Sequence, residues 1–386
     1  MNQSYFCETT SKQLADFFHD LHCHPELSNQ EFQTTRKIRE VLNQYHIEIL
    51  DLPIETGLVA QIGYGDPIVV LRSDIDALPI CEEADTKYIS QHKGVMHACG
   101  HDFHATAVLG AAILLKQQES ALKGQVRILF QAAEEVATGA TELIKAGVLE
   151  NANVVFGIHN DPTLSSGVVG CKAGALTAGV DRFRIDIQAK GTHAARPQDG
   201  NDPLLVLANV INILQTIVSR RLASDDNAVL SITQVHSGST WNIIPDTAFL
   251  EGTVRSFDAE VRKKIEMHIR QILNGLAVSF NAQIQLNWQP GPPSVVNNEK
   301  WANFALTVAK KEGFEPRVVN ASPIGEDFAY YQEVVNGAFM MIGSGGPYPL
   351  HHPKFKIDEA IVLPTAGYLA TLVADALIEL ESNTHE

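Results

Sequence analysis

The chain has 386 residues, of which 45% are hydrophobic and 19% charged, and its formal net charge is −16. That length exceeds one ordinary core and points to two domains of a globular protein. The negative balance speaks against nucleic acid and against an anionic membrane as partners, since both need clustered Lys and Arg.

The first twenty residues lack the basic start and apolar core of a signal peptide. No run of about eighteen apolar residues is expected to span a membrane. Five scattered cysteines, Cys7, Cys23, Cys81, Cys99 and Cys171, are odd in number. They fit a reducing cytoplasm and not a disulfide framework.

Ser11 to about Gln44 reads as helical, with a break near His24-Pro25. Short apolar, β-branched runs then alternate with helical patterns. Ile68–Arg72, Gln125–Phe130 and Val154–Ile158 read as buried strands, and His104–Glu119 and Thr138–Ala146 as helices, the second stopped by Gly147. This alternation predicts an α/β layer fold with a largely parallel sheet. The middle of the chain changes pattern. A strand at Phe183–Ala189, a helix at Asp202–Arg221, strands at Ala228–Val235 and Phe249–Arg255, a helix at Asp258–Leu276 and a strand at Gln283–Trp288 follow in turn. That order, βαββαβ, is the ferredoxin-like unit. Gln289-Pro290-Gly291-Pro292-Pro293 forms a hinge, after which a Phe339–Gly343 strand resumes the first pattern. The expected organisation is a discontinuous catalytic domain, 1–179 and 293–386, with a second domain at 180–292 inserted into it.

The reactive side chains cluster just after the strands. Asp74 and Asp76 follow the first, Glu134 and Glu135 the second, and His159 the third. In open α/β sheets ligands bind outside the carboxyl ends of the strands, so these distant segments converge on one crevice. The densest run is His97-Ala98-Cys99-Gly100-His101-Asp102-Phe103-His104. Cys, His and Glu together are the donor set of borderline transition ions. Alone, Cys99 and His101 would read as a core thiol beside a helix-capping imidazole. With His97, Asp102, His104 and the Glu134-Glu135 pair nearby, they read as a metal site. Of two adjacent carboxylates one can bind metal while the other moves protons. His351-His352-Pro353, after a Gly-rich loop, offers a late ligand. His19, His22, His24, His46, His92 and His236 read as structural or surface residues.

The ordered strings Arg72-Ser73-Asp74-Ile75-Asp76-Ala77-Leu78-Pro79, His97-Ala98-Cys99-Gly100-His101-Asp102, Ala133-Glu134-Glu135, Gly157-Ile158-His159 and His351-His352-Pro353-Lys354-Phe355 resemble the M20 metallopeptidase family. The amidohydrolase branch, with hippurate hydrolases, N-acyl-amino-acid deacylases and auxin-conjugate hydrolases, is the nearest match. The resemblance starts at His24-Pro25-Glu26-Leu27-Ser28 and covers nearly the whole chain. It implies two divalent ions (zinc, manganese, cobalt or nickel) held by Cys99, His101, Glu135, His159 and His351, with Cys99 shared and His352 a competing choice for the last ligand. Asp74 stands where the peptidase branches have a ligand His and is left out of the set. Asp76 would orient a ligand. Glu134 would be the general base that deprotonates a metal-activated water and returns the proton to the departing amine.

The inserted domain would serve as lid and dimerisation surface. Its His193, in Gly191-Thr192-His193-Ala194-Ala195, would stabilise the oxyanion in the partner subunit's site. Asn242 and Arg255 would hold the substrate's carboxylate. The implied protein is a cytoplasmic homodimer, or a larger assembly of dimers, that cleaves N-acyl amino acids such as N-acetyl or N-benzoyl compounds. The rival readings are an M20 dipeptidase or aminopeptidase, a metal-free hydrolase with Cys99 as nucleophile, and a noncatalytic binding protein.

Overall fold

Eight strands form the main sheet, in the order Glu48–Ile49, Leu58–Gly63, Gln125–Gln131, Ile68–Asp74, Ala152–Asp161, Gly337–Gly343, Val168–Cys171, Glu315–Val318. The four central strands, from Gln125–Gln131 to Gly337–Gly343, run parallel to one another. On either side the next strand, Leu58–Gly63 or Val168–Cys171, joins them antiparallel. Every residue of the Gln125–Gln131, Ile68–Asp74 and Gly337–Gly343 strands is buried, which is why these strands read as continuous apolar runs without alternation. The structure, a computed structural model, describes residues 5–383. The outer ends of the expected catalytic domain, 1–4 and 384–386, lie outside the described residues.

Helix His101–Gln117 packs on this sheet beside the C-terminal helix Val362–Asn383. The two helices approach closely at Gly110, where an added Cβ would lie 2.8 Å from Ala366 Cβ.

The described residues divide into two units. Unit 1, holding the eight-stranded sheet, comprises residues up to Leu176, Val296–Asn320 and those from Asp327 onward. Unit 2 comprises Thr177–Val295 and Ala321–Glu326. The short second piece was expected in the catalytic domain. It is drawn into unit 2 by an Ala178 amide donating to the Ile324 carbonyl at 3.0 Å and by a bridge between Thr177 and Ser322.

Unit 2 is a four-stranded antiparallel sheet in the order Ala228–Ser237, Thr247–Ser256, Gly179–Gln188, Gln283–Pro290. Helices Pro203–Thr216 and Ala259–Phe280 cover one face. Buried residues alternate with partly or fully exposed ones along Gly179–Gln188, as a sheet with one covered face requires. This is the ferredoxin-like βαββαβ arrangement.

Two helical stretches, Pro203–Arg221 and Glu359–Ser382, are long and apolar enough to cross a membrane. Their apolar sides face the two cores, with Val206, Val210 and Leu214 in unit 2 and Leu369, Leu372 and Val373 in unit 1. Asn209, Asn212 and Gln215 interrupt the first run without charging it, so a search for unbroken apolar stretches passes over it.

Candidate metal centre

The carboxyl ends of the parallel strands gather the site. Asp74 ends one strand opposite Gln131, the last residue of the next. His159 lies in the strand beside Met341. Cys99 and His101 flank Gly100 at the start of helix His101–Gln117. Glu134 and Glu135 follow the Gln125–Gln131 strand by a few residues.

Donor atoms of Cys99, His101 and His159 lie within 4.8 Å of one another, as do those of Cys99, Glu135 and His351, and those of His101, Glu134 and Glu135. Cys99 Sγ is 3.3 Å from His159 Nε2 and 3.3 Å from His351 Nε2. Glu135 Oε1 is 3.9 Å from His101 Nε2 and 3.7 Å from His351 Nε2. The groups share Cys99, His101 and Glu135, so the donors form one continuous cluster. His352 points elsewhere. It stacks on Tyr348 and accepts from the Lys354 amide.

Hydrogen bonds fix which ring nitrogens face the cluster. His101 Nδ1 is bonded to Asp76 Oδ1 at 3.1 Å, and His159 Nδ1 donates to the Asn160 carbonyl at 2.7 Å. Each ring therefore turns Nε2 toward the donors, the orienting role of outer contacts at metal sites. His101 Nε2 and Glu135 Oε1 are buried with no hydrogen-bond partner among the described residues. Two buried donors left unsatisfied beside a thiol suit a divalent cation.

Burial and Glu135 push the Cys99 thiol well above its ordinary range. Burial also raises the Glu135 carboxyl to about 7, partly opposed by His101 and reinforced by Asp76 and Asp74. A cation would displace protons from both groups.

Asp76 is nearly fully buried, and its oxygens are satisfied. Besides His101, it accepts from Ser28 Oγ at 2.7 Å and from the Glu135 amide at 3.0 Å. Burial alone would raise its carboxyl, but the His101 and Ser28 contacts bring it below its ordinary value. One carboxylate thus positions both an imidazole and a carboxylate of the cluster. Asp74 is buried between Arg72 Nη1 at 2.7 Å and His104 Nδ1 at 2.6 Å, with His101 Nε2 at 3.8 Å. His104 Nε2 accepts from the Asn160 amide at 2.8 Å. Its lone pair is occupied, and burial holds the ring neutral with a pKa near 4.

Several buried polar residues escape a reading of the sequence. Arg72 lies fully buried in a strand and binds Gln131, Asp74 and Asp327. Asp327 in turn accepts from Gln131 and the Ala140 amide, and its own amide lies 3.4 Å from Glu134 Oε1. An Arg in the middle of an apolar strand signals a buried counter-charge, but nothing local says that Asp327 supplies it. Part-buried Ser28, at the end of the matched His24–Ser28 string, and buried Glu31 beyond it give no sign of what they bind.

His193, Asn242 and Arg255 belong to unit 2. His193 is exposed, in a two-strand ribbon pairing Thr192–His193 with Ile243–Ile244. The Ala194 amide donates to the Asn242 carbonyl at 3.1 Å, so His193 and Asn242 are neighbours. Arg255 lies near the other end of the Thr247–Ser256 strand. Arg255 is eight positions along the strand from Thr247, roughly 26 Å. Arg255 is half-buried, and its guanidinium makes no hydrogen bond or ion pair among the described residues.

A model of Peptidase family M20/M25/M40 matches residues 70–375. The chain belongs to the M20 peptidase family. The N-acetylcysteine deacetylase of Bacillus subtilis (strain 168) is 46% identical over 366 residues, 94% of this chain and 96% of that protein. The IAA-amino acid hydrolase ILR1-like 4 of Arabidopsis thaliana is 34% identical over 376 residues, 94% and 86% of the two chains. Among solved structures, the Bacillus subtilis YXEP protein, described as a dinuclear metal binding peptidase from M20 family, superposes with a TM-score of 0.87 at 42% identity. The match covers 97% of this chain and 99% of that one. This M20 member is a hydrolase with the mixed, largely parallel sheet of its family.

Proposed function

We propose that this protein is a metal-dependent amidohydrolase that releases the amine of N-acyl amino acids, with Glu134 as general base and acid. The observation that carries the reading is the cluster of Cys99, His101, Glu135, His159 and His351 with Glu134 beside it. Similarity to a deacetylase and to an amino-acid-conjugate hydrolase supports the substrate class.

Two divalent ions held by these five side chains would polarise the amide carbonyl and lower the pKa of the attacking water. The thiolate leans toward zinc, while imidazole and carboxylate also suit manganese, cobalt and nickel. The remaining work falls to the chain. Glu134 takes the proton of the attacking water and passes it to the departing nitrogen. Asp76 holds His101 and Glu135 in register. His193 stabilises the developing oxyanion, and Asn242 and Arg255 hold the substrate's carboxylate. The half-buried, unpaired Arg255 guanidinium is suited to a bidentate anion. Asn242 and Arg255 are too far apart on one chain to share a carboxylate, which supports a dimer in which sites draw on both subunits. The domains read from sequence, 1–179 with 293–386 and 180–292, then act as catalytic base and lid. Five free cysteines support a cytoplasmic setting.

The test is amine release from N-acetyl, N-benzoyl and longer N-acyl amino acids beside unblocked dipeptides, with enzyme stripped by chelator and reloaded with single divalent metals. Cleavage of the blocked amino acids should vanish on stripping and return on reloading. Cleavage of dipeptides alone would replace this reading with a peptidase. Turnover that survives chelation would remove the metal from the mechanism.

A further inference from the structure

The Glu134-Glu135 pair leaves the sheet through a strained turn. Ala133, immediately before it, has φ 55°, in the left-handed region that a residue with a Cβ enters at a cost. The Ala133 carbonyl closes the turn by accepting from the Thr138 and Gly139 amides at 3.3 and 3.2 Å. Its amide points the other way and donates to Glu31 Oε1 at 2.9 Å.

Glu31 is remote in sequence and 0% exposed. Burial pushes its carboxyl above the ordinary range. Burying a carboxyl is costly, so a contact to one backbone amide needs a reason. Glu31 is itself fixed. Its carbonyl accepts from the Thr35 amide at 2.9 Å and the Thr35 hydroxyl at 2.6 Å. The same hydroxyl accepts from the Gly57 amide at 2.8 Å. Gly57 packs so tightly on the end of the Gln125–Gln131 strand that an added Cβ would lie 2.5 Å from the Phe130 carbonyl oxygen. Three residues earlier, Ser28 binds Asp76, which holds the Glu135 amide. The segment from Ser28 to Thr35 thus grips the turn on both sides of Glu134.

We propose that Glu31 is a positioning residue for the reaction. By holding the Ala133 amide in its left-handed turn, it sets the direction in which Glu134 reaches the substrate and Glu135 reaches the metals. The inference rests on the reading of Glu134 as general base. Without Glu31 the Ala133 amide is buried and unpaired, and the turn can relax toward an ordinary conformation. A shift of about an ångström in a catalytic carboxylate costs on the order of 10²-fold in rate.

The experiment compares metal-loaded wild type, Glu31→Ala, Glu31→Gln and Glu31→Ala combined with Ala133→Gly. Glu31→Ala should lose on the order of 10²-fold in kcat while KM stays within about twofold. Hydrogen exchange at the Ala133 amide should accelerate. Glu31→Gln keeps an acceptor at the same reach and should retain kcat within roughly threefold. Glycine enters the left-handed region freely, so the double variant should recover part of the lost kcat. If Glu31→Ala does not fold, Glu31→Asp withdraws the acceptor by one methylene and carries the same readouts.

Glu26→Gln is the stability control, because the Glu26 carboxylate caps the following helix through the Gln33 and Thr34 amides, and the bond from the Ala77 amide to the Glu26 backbone carbonyl is kept in the variant. It should lower Tm and leave kcat within about threefold. Wild-type kcat and unchanged Ala133 exchange in Glu31→Ala would overturn the proposal, as would an equal loss of kcat in Glu26→Gln. Glu134→Gln is run alongside. Full turnover in that variant would overturn the general-base reading, while exchange at Ala133 would still report whether Glu31 holds the turn.

Discussion

His22 holds two carboxylates at once. Its Nδ1 is 2.6 Å from Asp102 Oδ2 and its Nε2 is 3.0 Å from Glu82 Oε1. An imidazole can satisfy an acceptor at each nitrogen only when doubly protonated. Burial works against that charge, but Asp102 and Glu82 override it and push His22 from 6.5 up to about 10. His97 nearby has no hydrogen-bond partner for either nitrogen among the described residues, and burial pulls it down to about 4. Read from sequence, His22 was one structural or surface histidine among six, because a lone His on a helix gives no sign of what lies across from it. The raised pKa makes the triad pH-dependent in one direction. Its contribution is complete below the unfolded value of 6.5 and fades as pH rises toward 10. Asp102, held below its ordinary range against the pull of burial by His97 and His22, adds the opposite loss in acid. The Tm gap between wild type and His22→Gln should therefore be widest just below pH 6.5 and shrink steadily toward pH 10. Thermal melts across that range check it, and a gap that stays flat or widens with pH would refute the triad's charge state.

At the scale of elements, the entry to helix His101–Gln117 decides whether two donors can share a site. Gly100 separates Cys99 from His101 and caps the helix with φ 83°. A Cβ there would lie 2.4 Å from Asn160 Nδ2 and 2.6 Å from Ile357 Cδ1. Asn160 is not free to retreat, because its side chain binds the Cys99 carbonyl and its amide binds His104. Gly100→Ala should cost about 1–3 kcal/mol from the left-handed backbone and the clash. It should also weaken metal binding roughly 10- to 100-fold by displacing the groups that orient Cys99. Denaturant unfolding of the chelated protein gives the first quantity and metal titration the second. Normal metal affinity would mean that the turn is not what sets the pair. This turn was legible in sequence because Cys-Gly-His is local, and so were the strands, whose apolar runs are unbroken. The strand-end rule likewise put Asp76, Glu134 and His159 in one crevice. The contacts that hold the cluster were not legible. Ser28, Glu31 and Asp327 act across long sequence separations, and two of them act partly on backbone amides, which leave no pattern in side-chain type.

For the whole molecule, the division of the proposed machinery between units has a consequence for assembly. All five proposed ligands and Glu134 lie in unit 1, while His193, Asn242 and Arg255 lie in unit 2. Within unit 2, His193 and Asn242 share a ribbon beyond Thr247, and Arg255 lies roughly 26 Å along the strand from it. One substrate carboxylate cannot touch both ends. If Asn242 and Arg255 serve the same site, one comes from a second chain, and His193 travels with Asn242. Co-expression of His193→Ala and Glu134→Gln chains under different tags, with purification by both tags, tests this. Each homodimer should be inactive. In the mixed dimer the His193→Ala chain keeps its own Glu134 and receives His193 from its partner, so one of two sites works and about half the wild-type activity returns. The same design with Arg255→Ala in place of His193→Ala should give no such rescue. There the chain that keeps Glu134 has lost the Arg255 of its own site. An inactive His193→Ala/Glu134→Gln dimer would place His193 in its own chain's site, and failure to recover any doubly tagged protein would remove the dimer from the mechanism.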